Sequence, residues 1–148
     1  MPIPKVDVTS IFADSKLVAK VPKNRLEEIR VLILKNGRID VRSYIFFPQE
    51  TEPKPTRKGV WLSFKDMPEI IKTLETIAQK PHEDVNLEIP QTERVKLRVY
   101  TDVFHGKKIV HLRTFYLKGG EYKPGKGLSF IPPLSEKLAA ALKKAQPE

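Results

Sequence analysis

Over residues 38–47 the chain alternates strictly. Ile39, Val41, Ser43 and Ile45 fall on one parity; Arg38, Asp40, Arg42, Tyr44 and Phe46 fall on the other. This is the period-two signature of a strand with one buried face. Ahead of it, residues 29–34 form an apolar-rich run that ends at Asn36-Gly37, a dipeptide suited to the positive φ angles of a two-residue hairpin. Residues 17–21, closed by Pro22, predict a first strand. Residues 60–64 predict a fourth, after a loop over 48–58 that holds three prolines. The period then changes. Asp66 stands where a helix cap belongs, Pro68 and Glu69 suit the first turn, Ile70, Ile71, Leu74 and Ile77 make an apolar stripe, and Pro81 ends it.

The same pattern then recurs. Residues 85–89 predict a strand, and 94–104 a second with Val95, Leu97, Val99, Thr101 and Val103 facing one way. A turn at His105-Gly106-Lys107 leads to a third strand over 109–117. Lys118-Gly119-Gly120-Glu121 opens a shorter loop, and 128–131 predict the fourth. Leu134, Leu138, Ala141, Leu142 and Ala145 supply the closing helical stripe. Arg42 and Arg113 are 71 positions apart (113 − 42), and Gly59 and Gly127 are 68 apart (127 − 59), so the second copy is three residues shorter between these marks. An internal repeat on this scale dictates architecture. The expected fold class is α+β, with two ββββα repeats: an N-terminal arm over 1–14, a first repeat over 15–80 and a second over 81–148. Neither repeat alone offers a large core. The expected remedy is an intramolecular pseudo-dimer, a monomer that can dimerise further.

The chain has 148 residues, of which 40% are hydrophobic, and a net charge of +9. Both halves contribute: residues 1–80 carry 15 Lys and Arg against 10 Asp and Glu, and 81–148 carry 12 against 8. A basic surface on both copies favours a polyanionic partner, nucleic acid above all. With no Cys and three scattered His, neither disulfides nor a zinc site are expected. No phosphate-cradling Gly loop or triad spacing is present, and Asp40 gives way to His111 at the equivalent position, so no carboxylate pair recurs. The reading is of a non-enzyme without cofactor or metal. No run approaches the ~20 apolar residues of a membrane span, and no signal peptide is evident at the N-terminus. An intracellular protein without membrane contact is expected.

The second strand of the second copy presents Lys96, Arg98, Tyr100, Asp102 and Phe104 on its wet parity. Cations neutralise phosphates, and rings accept unpaired bases without regard to sequence. The alternative is that Tyr100 and Phe104 pack against a neighbouring strand or loop. Phe46, Trp61 and Tyr116 are further candidate exposed rings, whereas Tyr44 and Phe115 are expected in the core or at the seam between repeats. Lys54, Arg57 and Lys58 in the first copy, and Lys123 and Lys126 in the second, are expected in loops entering the fourth strand. Arg38, Arg42, Lys107 and Arg113 complete the candidate nucleic-acid-binding set.

Ile39-Asp40-Val41-Arg42-Ser43-Tyr44 with Lys54-Pro55-Thr56-Arg57-Lys58-Gly59-Val60-Trp61-Leu62 resembles the single-stranded-DNA-binding domain of the positive-cofactor-four transcriptional coactivators. So does the segment over 110–115 with Lys123-Pro124-Gly125-Lys126-Gly127-Leu128-Ser129-Phe130. The resemblance implies curved, whirly-like antiparallel sheets, each followed by a helix, paired as a dimer, with single strands lying on the sheets. By position, the family's hairpin aromatic falls on Phe104 and its strand Trp on Tyr116. Its hairpin lysines fall near His105 and Lys107, and its loop cations on Lys54, Arg57, Lys58, Lys123 and Lys126. In the first copy the strand Trp position is Ile45, and the hairpin aromatic position is near Leu34 or Lys35. Lys123 and Lys126 are expected to share their surroundings with Phe104 and Tyr116, and the second copy to do more of the stacking.

The function these features predict is sequence-tolerant single-stranded DNA binding in transcription, replication, recombination or repair. Single-stranded RNA binding and a protein-interaction scaffold are the alternatives. The Ser- and Lys-rich regulatory region of eukaryotic coactivators is absent, which favours a cytoplasmic or nucleoid protein of prokaryotic, archaeal or phage origin over a nuclear one.

Overall fold

The computed structural model describes residues 15–146, so the N-terminal arm over 1–14 lies outside the described residues. Four strands, β1 (Lys16–Pro22), β2 (Glu27–Ile33), β3 (Ile39–Ile45) and β4 (Lys54–Leu62), form one antiparallel sheet in sequence order. A 3-10 turn over Phe64–Asp66 leads into α1 (Met67–Gln79). The second unit repeats this with β5 (Asn86–Pro90), β6 (Val95–Phe104), β7 (Lys107–Lys118), β8 (Glu121–Phe130) and α2 (Leu134–Ala145). The expected ββββα units are both present, and both sheets are open.

Local chemistry explains the boundaries. His105 (φ 51°) and Gly106 (φ 76°) are both left-handed, as a tight turn matched to strand twist demands. Gly119 (φ 59°) and Gly120 (φ 82°) repeat the device between β7 and β8. That second turn corrects the expected loop. The segment after it is strand, so β8 begins at Glu121 instead of 128. β4 likewise begins at Lys54 instead of 60. Lys54, Arg57, Lys58, Lys123 and Lys126 therefore ride on strands. The proline-rich composition that suggested loops instead marks edge strands with register shifts, between Arg42 and Tyr44 on one side and Arg113 and Phe115 on the other. Asp66 is at the cap position of α1, but its side chain makes no capping bond. Its carboxylate instead accepts from Gln91 Nε2 at 3.2 Å, a link between the units.

All the stripe residues of both helices named from the sequence are buried. They join the inward faces of the two sheets in one continuous core: Ile29, Val31, Ile39, Val41 and Leu62 from the first unit, Leu97, Val99, Leu112 and Leu128 from the second. Val103 departs from its predicted face, since it is 61% exposed near the hairpin tip beyond the core. The helices pack on each other, α2 also packs on β1 and β2, and α1 reaches β6. Each helix thus covers part of the other unit's sheet. The Lys143 Nζ–Glu75 Oε2 pair at 2.8 Å spans the helix contact. Strand β4 lies against β8, although the two sheets stay separate.

Candidate nucleic-acid interface

Strand register shows how closely the outer faces correspond. Arg42 pairs with Gly59 across β3 and β4, and Arg113 with Gly127 across β7 and β8. Both glycines are buried against the strand opposite: a Cβ on Gly59 would lie 2.8 Å from the Val41 carbonyl oxygen, and one on Gly127 would lie 2.6 Å from Arg113 Cα. Arg42 Nη1 donates to the Thr56 carbonyl at 2.8 Å, and Arg113 Nη1 to the Gly125 carbonyl at 2.8 Å. On the neighbouring strands Arg30 opposes Arg42 and Arg98 opposes Arg113. The Arg30 guanidinium lies 4.8 Å from the centroid of Tyr44, and that of Arg98 lies 4.7 Å from Phe115. Tyr44 and Phe115 are thus buried, as expected, but beneath arginines on the outer faces.

At the next row the units diverge. Asp40 opposes Trp61 in the first unit, while His111 opposes Ser129 in the second. Asp40 is fully buried and forms a forked pair with Arg42, Oδ1 to Nη2 at 2.9 Å and Oδ2 to Nε at 3.2 Å. Burial pushes its carboxyl above the usual value, against the pull of Arg42 and a hydrogen bond from Trp61. His111 Nδ1 lies 2.7 Å from Ser129 Oγ, and its ring stacks on Tyr100 with centroids 4.8 Å apart. Burial, followed by the nearby Arg113 charge, holds its pKa below the usual imidazole value.

The contact between β4 and β8 creates two grooves along the seam. One is lined by Lys23, Arg57 and Lys58 of the first unit and by Arg113, Lys126, Gly127 and Ser129 of the second. The other carries Arg38, Arg42, Gly59, Trp61 and Lys65 from the first unit, with Gln91, Leu97, Tyr116 and Lys126 among the residues from the second. The two correspond in part. Lys23 and Gln91 start matching turns, donating their backbone N–H to Glu27 and Val95 respectively. Arg113, Gly127 and Ser129 occupy the places of Arg42, Gly59 and Trp61.

The predicted residues therefore divide. Arg38, Arg42, Arg57, Lys58, Trp61, Arg113, Tyr116 and Lys126 meet in the grooves. Lys96, Arg98 and Tyr100 form a patch on the outer face of β6. There Lys96 bonds Glu88, pulling that carboxyl below its usual value, and lies 4.1 Å from the Tyr122 ring centroid. Arg98 lies 4.2 Å from the Tyr100 centroid, and Tyr100 is half-buried between it and His111. Phe104 is 65% exposed, beside Lys107 at the hairpin tip. It does not share its surroundings with Tyr116. The two rings mark opposite ends of the β6–β7 hairpin, nine residues and about 30 Å apart at ~3.3 Å per residue. Lys54 and Lys123 are paired with Glu50 at 3.0 Å and Glu121 at 3.4 Å. Phe46 is half-buried and lines neither groove.

Lys23, Lys65 and Tyr122 were not singled out in the sequence. Recognising Gly119-Gly120 as a hairpin turn would have placed Tyr122 on a strand; nothing local marks Lys23 or Lys65. Among the described residues no cluster of His, Asp and Glu could hold a metal ion, and no helix is long and apolar enough to cross a membrane.

Residues 91–145 match the family model described as Transcriptional Coactivator p15 (PC4). The matched segment runs from just before β6 to the end of α2, so most of the second unit is similar to that family's domain. The first unit's likeness to it rests on geometry: the same strand order, register shifts, arginine pairs and buried glycine. No curated protein matches the chain.

Proposed function

We propose that the protein binds single-stranded DNA without marked sequence preference, using the seam grooves and the outer face of the second sheet. The observation that carries this is the convergence of Arg57, Lys58, Arg113 and Lys126 from both units into one open groove. With Lys23 the lining holds five cations and no carboxylate, an arrangement that favours a polyanionic partner. Exposed rings beside cations favour unpaired strands over duplex, because a ring stacks only on a base that is not already covered on both sides. The coactivator-family match supports the same reading. Transcription is one setting for such binding; replication, recombination and repair are others.

On this reading the chain is a binding protein with no catalytic role. Its two units are a tandem repeat, with boundaries near 15–80 and 81–148, that acts as a monomeric pseudo-dimer. The helices exchanged across the units and the single core support that. The test is competition for a labelled single-stranded DNA by unlabelled single-stranded DNA, single-stranded RNA, duplex DNA and heparin. Single-stranded DNA should compete best, and binding should weaken steeply with salt. Equal competition by heparin at every salt concentration would reduce the protein to a general polyanion binder. Stronger competition by RNA would move it to the RNA class.

A further inference from the structure

The two seam grooves are equivalent in backbone but not in chemistry. Where one has Trp61, the other has Ser129. Where one has Tyr116, the matching residue of the first unit is Ile45, since the register shifts set Tyr44 against Phe115. Both aromatic substitutions thus fall in the same groove, one ring from each unit.

Each of these rings is held in place yet remains partly exposed. Trp61 is 41% exposed; it stands opposite Asp40, itself locked by Arg42, and Arg38 lies 5.9 Å from its centroid. Tyr116 is also 41% exposed. Its ring packs against Gly125, where any Cβ would collide with the ring carbons. Part of the ring is therefore held against backbone while the rest stays accessible. Rings fixed in this way lose little entropy on accepting a base, the condition for a stacking platform. The counterpart groove keeps the cations and has no ring in its lining.

Resting on the single-strand reading, we infer that Trp61 and Tyr116 together form a base-stacking site assembled across the seam, and that the counterpart groove holds only the sugar-phosphate backbone. A strand is then bound with polarity: bases are gripped on one side of the seam and phosphates on the other. Trp61 is a binding determinant of this chain contributed by the first unit, which otherwise lacks the strand and hairpin rings.

The chain has a single Trp, so its emission reports on this site alone. End-labelled oligothymidylate anisotropy and Trp61 emission are followed in the same titration. Quenching of Trp61 should track the anisotropy. Trp61→Ala should weaken binding about 5- to 150-fold at every salt concentration, the range for losing one stacked base, while Trp61→Phe keeps most of the affinity. Tyr116→Ala should reduce the quench at saturation. Arg57→Ala should flatten the salt dependence and leave the quench at saturation intact. Thermal melts of each variant show whether the fold survives, as the exposure of these side chains predicts. No anisotropy change at low salt would overturn the single-strand reading itself. Full anisotropy change with unquenched Trp61, or with parental affinity in Trp61→Ala, would overturn the stacking site and leave that reading standing. Loss of the quench in Arg57→Ala would overturn the division between the grooves.

Discussion

Where β3 sets Asp40 opposite Trp61, β7 sets His111 opposite Ser129. The surrounding frame is the same in both units: an arginine bonded to a carbonyl shortly before the glycine (three positions before it in the first unit, two in the second), a buried glycine beside that arginine, and an aromatic ring under the neighbouring arginine. The row beside the frame differs. In the first unit that row is a closed acid–base–indole network with Asp40 at its buried centre. In the second it is an imidazole stacked on Tyr100. Frame residues are held by steric and hydrogen-bond demands that permit few alternatives. The adjacent row faces the groove and is free to differ, so a repeated backbone need not mean a repeated function.

The comparison breaks first if the units are separable. Leu74 of α1 and Leu138 of α2 are fully buried in the shared core. Replacing either by Ala should cost about 2–5 kcal/mol. Either change should lower the midpoint of one common unfolding transition, monitored by circular dichroism together with Trp61 emission. Two transitions, with Trp61 reporting only the first unit, would show that the halves fold independently.

A smaller effect sharpens the frame. Gly127→Ala and Gly59→Ala should each destabilise by about 1–3 kcal/mol in urea unfolding. Gly127 should lie at the upper end, because all its nearest contacts are atoms of Leu112 and Arg113 at or next to the backbone, whereas one of Gly59's is the flexible guanidinium of Arg42. The reverse order would mean that the Arg42 network is the stiffer of the two.

The proposed binding asymmetry has a salt signature. Losing one phosphate contact should change the slope of log affinity against log salt by about 0.7 on single strands. Arg57→Ala and Lys58→Ala should each show it, whereas Lys123→Ala, whose ammonium is paired with Glu121, should not. A full slope change for Lys123 alone would move the phosphate track from the seam to the far end of β8.

The smallest effect is a pH dependence. His111's pKa is lowered on folding by burial and by Arg113, so the unfolded chain binds its proton more readily. Stability contributed by neutral His111 should be present above about pH 6.5, the usual imidazole value, and lost as pH falls through the lower folded value. Asp40 has the opposite sign. Its raised pKa makes its contribution largest below the ordinary carboxylate range and lost as pH rises through the folded value. The stability gap between the parent and His111→Asn should change on the acid side of about pH 6.5 and stay constant above it.

The alternations at Ile39–Val41 and Leu97–Val99, the helical stripes and the paired Arg and Gly marks were sufficient to read two ββββα units from the chain. Each is a local or periodic signal, and burial of one face enforces it directly. The extent of β4 and β8 was not legible, because Pro55, Pro124 and the glycines look like loop until the register shifts that accommodate them are seen. The depth of Asp40 was missed for a related reason. Parity put it on the wet face, and only its neighbours, Trp61 on the adjacent strand and Arg42 two residues along its own, remove it from water.

The sequence by itself determined the repeat, the two apolar faces and the cationic excess, because these depend on residue type and spacing along a single element. Tertiary structure alone decided which residues of different units share a groove. Trp61 and Tyr116 are 55 positions apart (116 − 61) on different sheets, and no periodicity relates them. They meet in one groove because the apolar stripes of α1 and α2 are buried against each other and against both sheets, which sets β4 beside β8.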